Sequence, residues 1–173
     1  MREVYEYLKR NNGKFKVEIA SEKYTPPVLL EHSRLCSLSN ITKEELKEIF
    51  EAMVSLAEEK GGVGLAANQI GIAKSFFVFY NEDHWEMAIN PEFHKKSVWE
   101  TSAEISVEGC LSMPGVVGHT IRYNNIILYY YDQNIQHRKV ENAAAMTEII
   151  FQHEMDHLNG KLLQPTPKFS LKI

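Results

Sequence analysis

The sequence His-Glu-Met-Asp-His at residues 153–157 constrains the fold more than any other feature of the chain. Side chains four residues apart lie one turn apart on the same face of a helix, so His153 and His157 can bind one metal ion together. Glu154 points about 100° round the helix and can act as a general base toward a water on that metal. The pattern therefore predicts a metal-binding helix with a hydrolytic function.

An alternative is that both histidines are ordinary core residues of an amphipathic helix. Each imidazole would then need its own hydrogen-bond partner, whereas one shared metal satisfies both, so metal binding is favoured. The helix is predicted from about residue 142 to residue 159, with Gly160 as its stop. The side chains that share its stripe are Met146, Ile149, Ile150, His153 and His157.

The third ligand of this metal has to come from upstream in the sequence. A catalytic zinc-type site uses three protein ligands and keeps one position open. After His157 the sequence reads LNGKLLQPTPKFSLKI, which contains no His, Asp, Glu or Cys. The third histidine of the long metzincin pattern would fall on Leu163. The usual metallopeptidase arrangements are therefore excluded.

Cys110, in the sequence EGCLSMPG, is the best upstream candidate. Thiolate and imidazole are donors that catalytic zinc sites combine. Gly109 gives backbone freedom before it, and Ser112 and Pro114 indicate a turn after it. The alternative is that the thiol packs as a small apolar group, the common fate of a free cysteine, and we assign that role to Cys36.

A glycine-rich segment at residues 62–71, GVGLAANQIG, allows backbone to approach a ligand closely. It is not a phosphate loop, because it lacks the Gly-Lys-Ser/Thr ending and the helix that should follow. Part of it is a helix end and a turn into the next strand. Gln69 is not explained by that role, and its carboxamide N–H can act as an oxyanion donor in a dry site.

The remaining pattern predicts an α+β fold with a mostly antiparallel sheet, because helix, strands and helix follow one another without βαβ alternation. A helix is predicted from Thr42 to Lys60, with a capping box formed by Thr42 and Glu45. Residues 1–41 are mixed and receive no assignment. The predicted strands cover residues 75–80, 120–132 with an interruption at Asn124-Asn125, and 137–140.

Length and charge narrow the function classes. The 173 residues fit one domain, 1–173, since a typical domain has ~100–200 residues. With 19 Lys and Arg against 23 Asp and Glu the net charge is −4, which does not indicate a nucleic-acid partner. No apolar run approaches the ~18 residues of a membrane span. The charged N-terminus is not a signal or transit peptide, so the expected location is the cytoplasm.

Three segments in this order resemble the peptide deformylase family. The family carries GxGLAAxQxG, then EGCLS, then QHExDHLxG, which stand here at residues 62–71, 108–112 and 152–160. The resemblance covers residues 42–163 well and residues 1–41 weakly. It implies mostly antiparallel sheets packed around a central C-terminal metal-binding helix.

The resemblance also implies the chemistry. One divalent metal would be bound by Cys110, His153 and His157, with iron(II) as the native ion and zinc, nickel or cobalt as substitutes. The substrate would be the N-formyl group on the initiator methionine of a new polypeptide, and the products would be formate and a free amino terminus. Glu154 would be the general base, and Gln69 with the backbone N–H of Leu111 would hold the oxyanion.

The family motifs also indicate where the substrate would bind. Motif position places four side chains around the methionine, and three of them share the helical stripe with the histidines. Their alternative role is plain core packing. The extended peptide would pair with backbone at Gly64 and Gly115. The four pocket candidates are Val63, Met146, Ile149 and Ile150.

Two stretches depart from the family. Many bacterial members carry an Arg after EGCLS that helps to hold the peptide, whereas Val116-Val117-Gly118 has no charge here, and Arg122 is expected to pair with acidic scaffold residues. The sequence QPTPKFSLKI lacks the pattern of the basic C-terminal helix that docks bacterial relatives on the ribosome. The alternatives left open are a related metalloamidase for another N-acyl group and a non-catalytic metal-bound peptide-binding module.

Overall fold

The computed structural model describes residues 1–97 and 99–165. The described part contains a short N-terminal helix, a long helix before the strands and a helix after them. No helix in this part is long and apolar enough to cross a membrane. The helices are α1 (Arg2–Arg10), α2 (Lys43–Glu59) and α3 (Ala145–Leu158), with short 3-10 helices at Pro27–Leu30 and Ala67–Ile70.

The strands form two antiparallel sheets. A five-stranded sheet has the order β1-β2-β3-β6-β7, and β4 pairs with β5 in a separate two-stranded sheet. Every strand pair in both sheets is antiparallel, which confirms the predicted α+β class. The strands are β1 (Gly64–Ala66), β2 (Phe76–Asn81), β3 (His84–Lys95), β4 (Ser102–Cys110), β5 (Met113–Asn124), β6 (Ile126–Tyr131) and β7 (His137–Val140).

Helix α2 begins where the capping box predicts. The Thr42 side chain accepts a hydrogen bond from the Glu45 N–H, and the Glu45 carboxylate accepts one from the Thr42 N–H. Together they satisfy two of the free donors at the helix start. Its apolar face is buried against the sheet and α1, through Leu46, Ile49, Met53, Leu56 and Ala57.

The predicted strand over 120–132 is two strands in different sheets. Asn125 has a φ of +57°, a left-handed conformation that turns the chain between β5 and β6. The buried Glu148 of α3 accepts hydrogen bonds from the backbone N–H groups of Asn125 and Ile126. The interruption was predicted correctly, but its consequence, a change of sheet, was not.

Helix α3 starts three residues later than predicted, at Ala145, since Asn142 is left-handed with a φ of +58°. It packs against β1, β2 and β5, so it lies between the two sheets. Gly160 follows the helix with a φ of +67°, as expected for its stop. The position of α3 confirms the predicted central C-terminal helix.

An aromatic cluster holds α3 on the large sheet. Phe151 of α3 is fully buried and meets Phe77 edge-on, with ring centroids 5.0 Å apart. It also meets Phe79 edge-on at 5.6 Å, and Phe79 meets Tyr130 in the same way at 5.7 Å. These contacts fix the helix through large buried surfaces and ring geometry.

Replacing Phe151 with Ala should lower the free energy of unfolding by about 3–5 kcal/mol, because it removes the ring at the centre of this cluster. Tyr24→Ala is the control: its side chain is 63% exposed, and the change should stay within about 0.5 kcal/mol. Denaturant titration followed by circular dichroism measures both. A loss below about 1 kcal/mol for Phe151→Ala would contradict this account of the core.

Candidate metal centre

Helix α3 brings His153 and His157 side by side. Their ring centroids lie 5.0 Å apart, and His157 is 1% exposed. The spacing is that of one helical turn, as the sequence predicted. The Asn68 carboxamide donates a hydrogen bond to the backbone carbonyl of His157, which ties this end of the helix to the glycine-rich segment.

Cys110, the last residue of β4, lies next to the two imidazoles of α3. Its Sγ lies 3.2 Å from His157 Nε2. One ligand atom each from Cys110, His153 and His157 lie within 4.8 Å of one another. Among residues 1–97 and 99–165, no other group of three such side chains meets this criterion. One thiolate and two imidazoles at this separation fit a small divalent ion bound by three protein ligands.

A buried ion network orients His153. Its Nδ1 lies 2.7 Å from Glu108 Oε2, and Glu108 accepts two hydrogen bonds from Arg122, both 2.7 Å long. Arg122 also donates to Asp156 at 2.6 Å. Fixing Nδ1 in this way turns Nε2 of His153 toward Cys110, as in other metal sites where a carboxylate holds the far side of a histidine.

The charges of this network favour a positive charge at the centre. Burial opposes ionisation of Glu108, but the hydrogen bonds from Arg122 and His153 outweigh it and bring its pKa to about 2. Burial also opposes protonation of His153, yet its hydrogen bonds to Cys110 and Glu108 raise its pKa to about 10. His153 is therefore protonated near neutral pH, and a metal ion would have to displace that proton, since neutral imidazole is the form that binds a metal.

Burial lowers the pKa of His157 to about 3, and the charge on His153 adds to the effect. The imidazole is consequently neutral at physiological pH. Neutral imidazole is the form that binds a metal, so this ligand needs no proton to leave before it coordinates.

Glu154 lies beside the three candidate ligands, and one of its carboxylate oxygens makes no hydrogen bond to the described residues. Glu154 is 3% exposed, and this oxygen is Oε2. Burial raises the pKa of this carboxyl to about 7. A group with a pKa near neutrality can accept and return a proton, which is what hydrolysis at a metal requires.

Gly64 explains how the carboxylate of Glu154 fits. A Cβ atom at position 64 would overlap Glu154 Oε1, so only glycine allows the backbone of β1 to come this close to the carboxylate. The small residue that the sequence analysis singled out for close approach is therefore needed to seat the candidate base.

Gln69 is held with its amide nitrogen toward the site. Its Oε1 accepts a hydrogen bond from the Ala66 N–H at 2.8 Å, which assigns the other end of the side chain. Its Nε2 lies 3.2 Å from Ser112 Oγ and 3.7 Å from Cys110 Sγ. A buried N–H donor thus stands next to Cys110, one of the three candidate ligands, where it could stabilise an oxyanion.

A cavity of about 410 Å³ opens in front of these groups. Its wall includes all three motif segments and the four apolar pocket candidates. Val63 and Met146 are at the mouth, being 51% and 64% exposed, whereas Ile150 is 5% exposed. The predicted site residues on the wall are Val63, Gly64, Gln69, Cys110, Leu111, Met146, Ile149, Ile150, His153 and Glu154.

Gly115 is the predicted substrate residue that does not line this cavity. It lies within β5 with a φ of +78°, at the point where the β4–β5 register shifts between the pairs Gly109–Val117 and Cys110–Met113, so it serves an irregularity of this strand pair. A glycine after a catalytic motif can indicate either a ligand contact or a strained turn, and one sequence does not distinguish them.

Two supporting residues were not predicted from the sequence. Both lie within the Cys110 motif, where Glu108 was given no role and Ser112 only that of a turn residue, although Glu108 holds His153 and Ser112 accepts a hydrogen bond from Gln69. Arg122 was correctly expected to pair with acidic residues of the scaffold. Buried carboxylates beside a ligand motif are the signal that could have identified Glu108.

Known proteins with similar sequences are found over most of the chain. The family model for polypeptide deformylase matches residues 21–166. A peptide deformylase of Borreliella burgdorferi is 39% identical over 121 residues, which cover 69% of this chain and 71% of that one. One from Stenotrophomonas maltophilia is 33% identical over 145 residues, or 81% of each chain.

Solved structures show the same fold. The crystal structure of peptide deformylase from Thermotoga maritima superposes with a TM-score of 0.73 at 30% identity and covers 86% of this chain and 94% of that one. A deformylase from the Vibrio parahaemolyticus bacteriophage VP16T, in complex with actinonin, gives a TM-score of 0.72 at 26% identity, with 86% and 99% covered.

Glu108→Gln should weaken metal binding about 10- to 100-fold, since it removes the charge that orients His153. Competition with a chelator, using zinc, measures the affinity, and circular dichroism checks that the variant is folded. Glu104→Gln is the matched control, because Glu104 is exposed on the same strand, opposite Arg122 in the register. Equal affinities for Glu108→Gln and the unmodified protein would refute the orienting role.

Proposed function

The chain belongs to the peptide deformylase family, and from this premise we propose which of its residues carry out the reaction. It is an enzyme that depends on a divalent metal and removes the N-formyl group from the initiator methionine of nascent polypeptides. The observation that carries the assignment of residues is the meeting of Cys110, His153 and His157 within 4.8 Å, beside a buried carboxylate and an open cavity.

We propose that Cys110, His153 and His157 bind the metal and that iron(II) is the native ion, which zinc, nickel or cobalt can replace. A thiolate with two imidazoles suits each of these ions. The bound metal supplies a Lewis acid for the formyl oxygen and lowers the pKa of a water molecule. The neutral state of His157 and the fixed orientation of His153 support this ligand set.

Glu154 moves the proton. As the water oxygen attacks the formyl carbon, the carboxylate accepts the proton that the water loses. When the carbon–nitrogen bond breaks, Glu154 gives this proton to the leaving amine, so formate and a free amino terminus result. Its burial and its pKa of about 7 support both halves of the transfer.

Gln69 and Leu111 hold the negative charge that develops on the formyl oxygen. Gln69 would donate from Nε2, which its contact with Ala66 directs toward the site. Leu111 follows Cys110 directly on the cavity wall and would donate its backbone N–H. Donors fixed in advance in a water-poor site stabilise an oxyanion more than solvent does.

The methionine side chain is accommodated by the apolar part of the cavity. Val63, Met146, Ile149 and Ile150 line it, which supports their assignment as the substrate pocket. The extended peptide would pair with backbone at Gly64. We keep Gly115 as a second pairing partner, although it lies outside the cavity wall.

We further propose that residues 1–173 form a single catalytic domain and that it acts in the cytoplasm. Contact with the ribosome stays an expectation, to which the sequence of residues 164–173 contributes no basic helical pattern. Residues 166–173 lie outside the described part of the chain.

Glu154→Ala should bind one metal per chain and lose about 10²- to 10⁴-fold in kcat, because the proton acceptor is removed while the ligands remain. Cys110→Ala should lose the metal itself. Metal content by mass spectrometry and formate release from formyl-Met-Ala-Ser measure the two effects separately. Substantial turnover by Glu154→Ala would show that the base is misassigned.

Gly64→Ala should lower kcat by about 10²-fold with little change in metal content, since the added methyl group displaces the Glu154 carboxylate. The same formate assay applies. The double variant Gly64→Ala/Glu154→Ala is the control: it should be no slower than Glu154→Ala alone, because the displaced group is already absent. If the losses in kcat of the two single variants added up in the double variant, Gly64→Ala would not act through displacement of Glu154.

A further inference from the structure

The two-stranded sheet formed by β4 and β5 buries its charged face and exposes its apolar face. One face carries Glu108 and Arg122, which are buried against α3. Alternate residues point to the opposite face, where antiparallel sheets that border solvent are usually polar. On that face Ile105 pairs with Ile121, and Val107, the next residue of β4 on the same side, pairs with His119.

Besides His119, this outer face carries four exposed aliphatic side chains. Ile105 is 71% exposed, Val107 64% and Ile121 66%, and Val117 of β5, on the same face, is 53% exposed. Single exposed aliphatic residues are ordinary, but a contiguous group on one sheet face is typical of a binding surface. We call these four residues the hairpin face.

The hairpin face continues the wall of the active-site cavity. Val107 belongs to both, and two more exposed apolar residues, Val63 and Met146, stand at the cavity mouth. Ile105 is two residues from Val107 along β4, about 7 Å away. An extended peptide advances about 3.3 Å per residue, so a substrate anchored by its methionine can reach Ile105 with its third to fifth residues.

We propose that the hairpin face binds the third to fifth residues of the substrate and gives the enzyme a preference for apolar nascent chains. The proposal rests on the function assigned above and deepens it. The four residues carry no charge, so they gain nothing from charged or strongly polar residues, whereas aliphatic substrate residues would bury surface on both sides. A second copy of the chain is the competing occupant.

The test compares two uncharged pentapeptides with amidated ends, formyl-Met-Ala-Val-Leu-Val and formyl-Met-Ala-Ser-Gln-Ser, on the metal-loaded enzyme. We expect kcat/KM to be about five- to tenfold higher for the apolar peptide, mainly through KM. Ile105→Thr/Ile121→Thr should bring the ratio close to one. Threonine keeps the strand propensity, and both sites are exposed, so folding should be preserved.

Leu35→Thr is the matched control, because Leu35 is 74% exposed but lines a different surface hollow, with Asn90 and Tyr129. It should keep the unmodified ratio. A readout independent of turnover is binding of the product Met-Ala-Val-Leu-Val by calorimetry, which should weaken by the same factor in the double variant only.

The outcomes separate this inference from the assigned function. If formyl-Met-Ala-Ser is hydrolysed but the two pentapeptides give equal kcat/KM, the inference fails and the function stands. If no formyl peptide is hydrolysed, both fail. Light scattering that shows a dimer in the unmodified protein and a monomer in the double variant, with no substrate preference, would assign the hairpin face to self-association and overturn the proposal.

Discussion

The buried interaction of Arg122 with Glu108 is the one on which the rest of the site depends. Arg122 belongs to β5, Glu108 to β4, and the third and fourth members, His153 and Asp156, belong to α3. Buried charges are stable only when every partner is in place, since removing one leaves an uncompensated charge. The small sheet and the central helix therefore have one relative position, and Cys110, two residues after Glu108, is set against the histidines by it.

Around this network the fold holds the site residues in fixed positions and buries them from solvent. The aromatic cluster around Phe151 fixes α3 on the large sheet, so the helix is held from both sides. Close approach of β1 at Gly64 seats the Glu154 carboxylate, and Gln69 is locked by the backbone of Ala66. Each of these side chains is thus held by an element whose own position is fixed by packing or hydrogen bonds. A site whose groups are fixed in this way is preorganised.

The helix that carries His153 and His157 could be predicted from the local spacing of HEMDH, and the α+β class from the order of helices and strands. Cys110 was singled out because residues 158–173 contain no His, Asp, Glu or Cys and because of its glycine and turn context. Partners set by long-range packing could not be predicted. Glu108 meets Arg122 only through the β4–β5 register, and the stretch around Asn125 gave no sign that its halves enter different sheets. Helix α1 was missed, since its apolar positions are few and its packing against α2 stabilises it.

The most direct test of this account is formate release from formyl-Met-Ala-Ser, measured against metal content in anaerobically prepared protein. The account predicts that the rate rises in proportion to bound iron(II) and levels off at one ion per chain, with a zinc form that binds the same ligands and can be compared directly. Protein that holds one iron(II) or zinc ion per chain and yet releases no formate would contradict it.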